Sequence, residues 1–139
     1  MTWSNDTQNS PPRSNPAAYR AASESAALFV RPNQARLKIT GADRAAWLQG
    51  LISNDVLALS PGQGCYATYL TPQGRMITDL RVLARPESFL VDLPAITVAG
   101  VFERFEMFVI TEDVVVENVT ASLARFSLYG PSAAQTLSE

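Results

Sequence analysis

Apolar positions recur in short blocks from Leu28 onward, and the period inside each block predicts its element. Leu28-Phe29-Val30 predicts a short strand closed by Pro32-Asn33, and Ala35 to Ile39 alternates apolar and polar as a second strand. Thr40 and Asp43 have capping-box spacing, with Asp in place of the usual Glu. The helix they open carries Ala45, Leu48, Leu51 and Ile52 on one face and is expected to end near Asn54. Gly64 to Leu70 reads as a strand, Thr71-Pro72-Gln73-Gly74 as a tight turn, and Arg75 to Leu83 as its hairpin partner. Ser88 to Leu93 is a further strand. Pro94 suits the first turn of a second helix, where Val98, Phe102, Phe105 and Val109 form an apolar stripe. Val114 to Val119 and Leu123 to Tyr129 complete the strands, and Gly130-Pro131-Ser132 opens a last helix.

The predicted order is ββα, βββα, ββ and an unfinished α. This is an α+β fold, a mostly antiparallel sheet with helices packed on one face. Residues 1–16 are rich in Ser, Asn, Pro and Gln and bury too little to offset their ordering entropy. Residues 1–27 are therefore expected to be a flexible tail carrying a short helix within Ala17 to Ala27. Residues 28–139 are expected to be the N-terminal portion of a longer folded domain, because the chain stops inside a helix.

Composition narrows the chemistry. Among 139 residues there is no His, one Cys and a net charge of −2, with 47% hydrophobic. A His-based triad, a His-bearing metal site, a CxxC pair and an intrachain disulfide are all excluded. Glycine-rich phosphate cradles are missing too, and nothing suggests nucleic acid or a membrane as partner. With no basic and apolar leader, a cytoplasmic protein is the expectation.

Two runs, KITGADRAAWLQGLISNDV and GCYATYLTPQGRMITDLRVL, resemble the front of the folate-binding fold shared by the glycine-cleavage T-protein (aminomethyltransferase) and the YgfZ-type proteins. LYGPSAAQTL, from Leu128 to Leu137, resembles a later sheet-to-helix junction of that fold. The resemblance covers Ala35 to the C-terminus. It implies tetrahydrofolate as cofactor, in a pocket completed by a second half of the fold. The aminomethyltransferase's Asp-Asp pair becomes Thr78-Asp79, its folate-lining Tyr falls on Tyr66, and its Asn at the end of the next strand falls on Leu93. With Trp47-Leu48-Gln49-Gly50, these departures make the chain similar to the YgfZ branch. That likeness implies an accessory role in iron–sulfur cluster assembly or repair, with iron–sulfur proteins as partners. A one-carbon transferase is the alternative. Gly64-Cys65-Tyr66 echoes a motif of the YgfZ branch without its Gly-Gln-Glu and in the wrong part of the chain, so Cys65 is read as a small strand hydrophobe.

The candidate site residues are Asp79, the one residue expected to be catalytic if any is, with Tyr66 and Arg81 as further folate contacts. Ile77, Asp79, Arg81 and Leu83 share one strand face. Asp79 either faces a pocket, accepting from a folate amine, or pairs with Arg81 at the surface. Tyr66 and Tyr69 lie on opposite faces, and either ring could stack on a pterin. Arg81 either meets the folate glutamate carboxylate or is solvated. Phe102, Phe105 and Phe108 are expected in core or interface. Glu103, Glu106, Glu112 and Asp113 are expected to form a solvated face rather than a metal site.

Overall fold

The structure, a computed structural model, describes residues 15–138. Most of the tail expected over residues 1–16 thus lies outside the described residues. The described residues form two compact units, residues 15–30 with 126–138, and residues 31–125. In the first, α1 (Pro16–Glu24) is capped by Asn15, whose Oδ1 accepts from the Ala18 amide at 3.1 Å. Strand β1 (Ala27–Val30) pairs antiparallel with β7 (Phe126–Tyr129), and α4 (Ala133–Ser138) follows. Phe29 meets Tyr129 edge-to-face at 5.7 Å.

The second unit is a five-stranded antiparallel sheet in the order β3-β4-β5-β2-β6. Its strands are β2 (Gln34–Thr40), β3 (Gly64–Leu70), β4 (Met76–Arg85), β5 (Ser88–Pro94) and β6 (Val115–Asn118), with α2 (Arg44–Gln49) after β2 and α3 (Val98–Met107) after β5. Strand alternation sorts the side chains onto two faces. Leu37, Ile39, Leu80, Val82, Val91 and Leu93 turn to one face, in register with one another, and pack there with Trp47 and Leu48 of α2 and Val101 and Phe105 of α3. The Phe105 ring makes edge-to-face pairs with Trp47 and Tyr69, both at 5.3 Å. The predicted α+β architecture is thus present.

Some predicted boundaries shift for physical reasons. Helix α2 stops at Gln49, five residues short of Asn54, and Asp43 does not cap it through its side chain. Instead Asp43 Oδ2 accepts from the Asp113 amide at 2.8 Å, while Asp113 accepts from the Ala42 amide at Oδ2 (3.0 Å) and from the Asp43 amide at its carbonyl (3.2 Å). A long-range clasp has displaced the local cap. Pro94 closes β5 rather than opening α3, because its position still pairs with Gln34. The strand expected from Leu123 shortens to Phe126–Tyr129, since a short 3-10 helix over Thr120–Ser122 and the segment after it run back beside β2.

That segment covers part of the other sheet face, where one row of residues is charged. Arg36 and Asp92 are cross-strand partners, with Nε and Oδ1 3.7 Å apart, and Arg125 pairs with the second Asp92 oxygen. Arg36 Nη1 donates to the Leu123 carbonyl and Arg125 to Gln34 Oε1 at 3.1 Å. Arg36 is buried, and burial lowers its pKa.

Candidate functional site

The same open face continues onto β3 and β4. Tyr66 opposes Arg81 and Thr68 opposes Asp79, so the three predicted site residues meet by register. The Tyr66 hydroxyl donates to Asp79 Oδ2 at 3.0 Å. The Arg81 guanidinium lies over the Tyr66 ring, 5.7 Å from its centroid, within cation–π range. Asp79 is therefore held by a phenol and not by an ion pair with Arg81. Its other oxygen, Oδ1, has no protein partner among the described residues. Asp79 is half-buried, whereas Tyr66 is 54% exposed. Tyr69 faces the core, 3% exposed, as the alternation requires.

Strand β3 is the sheet's edge, and the chain leaving α2 holds it in place. The Ser53 amide donates to the Thr68 carbonyl at 3.0 Å, and Ser53 Oγ accepts from the Thr68 amide at 2.9 Å and from Thr68 Oγ1 at 2.8 Å. Asn54 Nδ2 donates to the Tyr66 carbonyl at 2.7 Å. Ser53 and Asn54 thus fix the backbone of the strand that carries Tyr66. Reading them as the end of a helix missed this role. The signal was present, because Ser-Asn-Asp favours turns over helix, and Asp55 Oδ1 indeed accepts from the Leu57 and Ala58 amides.

The hydrogen bond to Asp79 is the largest influence on Tyr66 and, with burial and the Asp79 charge, pushes its phenol above the ordinary value near 10, Arg81 opposing. The neutral phenol is the bonded form, so this contribution is complete below that ordinary value and is lost as pH rises through the raised one. Replacing Asp79 with Asn should bring the Tyr66 titration back down, measured as tyrosinate absorbance against a Tyr66→Phe control. An unmoved titration would mean the two groups do not meet.

Burial, with the Asp55 charge second, pushes the Cys65 thiol up, which suits an unreactive strand residue. Glu112 caps its own turn by accepting from the Ile110 and Thr111 amides, and its pKa falls accordingly. No metal-holding cluster occurs among the described residues, and none of their helices is long and apolar enough to cross a membrane. A cavity of about 420 Å³ at the hairpin end of the sheet takes in Ile77, two residues before Asp79, but not Asp79 itself.

An antiparallel α+β sheet with this strand and helix order is the fold of the T-protein's front portion. It matches the crystal structure of glycine cleavage system aminomethyltransferase T from Bartonella henselae with a TM-score of 0.74 at 20% identity, covering 88% of this chain and 34% of that one. The GCVT N-terminal domain family matches residues 12–139, and the chain belongs to that family. An aminomethyltransferase of Listeria welshimeri is 30% identical over 125 residues, covering 88% of this chain and 34% of the relative. One of Chromobacterium violaceum is 34% identical over 111 residues, covering 79% and 30%. The chain therefore spans about a third of the length of the curated relatives it matches.

Proposed function

We propose that this chain supplies one wall of a tetrahydrofolate site in a one-carbon transferase of the glycine-cleavage T-protein type. The observation that carries the reading is Asp79: a carboxylate on an open sheet face, one oxygen held by Tyr66 and the other free to accept. The free oxygen fits an amine N–H donor of a reduced pterin, and the exposed Tyr66 ring offers a flat apolar surface beside it. Tetrahydrofolate would supply the nitrogen that carries the one-carbon unit. Asp79 Oδ1 would orient that nitrogen through its N–H, while Tyr66 and the Ser53–Asn54 contacts hold the carboxylate in place.

The named relatives support the transferase reading over an iron–sulfur accessory role. Of the features that made the chain look YgfZ-like, which include Trp47-Leu48-Gln49-Gly50, the departures Thr78 and Leu93 are 4% and 0% exposed. Both turn to the core face, away from Asp79, so neither change removes a group from the proposed surface.

Equilibrium titration of the protein with tetrahydrofolate tests this. Asp79→Ala should weaken binding by about ten- to a hundredfold, the loss expected for a hydrogen bond to a charged group. Binding indifferent to that substitution, or no saturable binding, overturns the proposal.

A further inference from the structure

The cavity at the hairpin end holds features that the folate reading leaves unused. Leu51, Ile77 and Phe108 line it with apolar surface, and Tyr69, Thr71 and Arg104 bring polar groups to it. Tyr69 is 3% exposed as a residue and lines the cavity, and no described residue hydrogen-bonds its hydroxyl, which is not among the buried unpaired polar atoms and so stays open to a cavity occupant. Arg104 is the cavity's one charged group; no carboxylate lines it, and no ion pair holds Arg104 among the described residues. Its charge acts on the Tyr69 hydroxyl, opposing the rise that burial causes. The neighbouring acids Glu103 and Glu106 stand one and two residues away in α3, and such spacings point to other sides of a helix.

We infer that this cavity binds a small organic carboxylate with an apolar body, through the Arg104 guanidinium and the Tyr69 hydroxyl. The charge balance selects the ligand. One guanidinium and one phenol satisfy a monoanion, whose two oxygens match the guanidinium fork. A phosphate carries more charge and needs more donors than this lining provides. The apolar remainder, in a volume of about 420 Å³, suits a ring-sized body. The inference is independent of the folate site, because Tyr66, Asp79 and Arg81 do not line this cavity.

Benzoate is the probe, followed by amide NMR of the labelled full chain, with benzamide as its uncharged counterpart. Saturable shifts should centre on the Tyr69, Thr71 and Arg104 segments. Arg104→Gln should weaken benzoate about tenfold and Tyr69→Phe about threefold, and benzamide should bind about tenfold more weakly than benzoate. Arg104 is exposed, so its substitution leaves the fold intact, and an unchanged amide spectrum elsewhere verifies this. Asp79→Ala should leave benzoate affinity as it was. No saturable shift, equal affinity for benzoate and benzamide, insensitivity to Arg104→Gln, or a loss in Asp79→Ala would each overturn the inference.

Discussion

Replacing Asp92 with alanine should lower stability by about 3–5 kcal/mol, the cost of breaking a buried ion pair from one side. Among the described residues Asp92 pairs with both Arg36 and Arg125, and the side chains of Arg36 and Asp92 are only 7% and 15% exposed. Without it, the buried Arg36 guanidinium loses its carboxylate in a poorly solvated site. Burial already disfavours the charged form of Arg36. Its Nη2 has no hydrogen-bond partner among the described residues. Thermal unfolding should show a fall of about 10–20 °C for a chain of this size. Adding Arg36→Met should recover part of that loss, since an apolar side chain of similar length carries no charge to compensate. A fall in stability below about 1 kcal/mol in Asp92→Ala would show that the row is solvated and that the pairing contributes little.

The second large effect is expected at Gly41, where β2 turns towards α2. Its φ is +108°, and a Cβ there would stand 1.9 Å from the Asp113 carbonyl oxygen. The backbones meet so closely because of the clasp between Asp43 and Asp113, which joins the loops flanking α2 and β6. Gly41→Ala meets both penalties, a disfavoured conformation and a backbone that cannot retreat without breaking the clasp. A loss of about 3 kcal/mol or more is expected in urea unfolding. Gly100→Ala is the control. It lies in α3 with nothing within 4 Å of the added methyl, and it should stabilise by about 0.5–1 kcal/mol through helix propensity. Equal effects at the two glycines would refute the steric argument.

Where a segment's structure was decided by its own periodicity, the sequence showed it. Strand β3 spans Gly64–Leu70 as its alternation and flanking turns predict, and Ser88 opens β5 as expected. The segments that departed answer to distant partners. Asp43 left its helix for Asp113, seventy residues on, and Leu123 gave its carbonyl to Arg36 instead of joining a strand. At the proposed site, Tyr66 and Asp79 were legible as residues and their strand faces as alternation. That the phenol takes the carboxylate while Arg81 moves over the ring depends on hairpin register, which no single strand carries. Arg36 and Asp92 were invisible for the opposite reason. A charge at every second position reads as solvent-facing, and only the return of residues 119–125 removes that solvent.

The contacts from Ser53 and Asn54 have a consequence for how the protein behaves in a crowded solution. A bordering strand ordinarily presents unpaired amides and carbonyls on which a foreign strand can nucleate, the first event in edge-to-edge aggregation. Here the rim at Tyr66 and Thr68 is already occupied by the chain itself, and at the opposite border β6 offers only four residues. Two short polar side chains thereby let an open polar surface persist at that rim without inviting polymerisation.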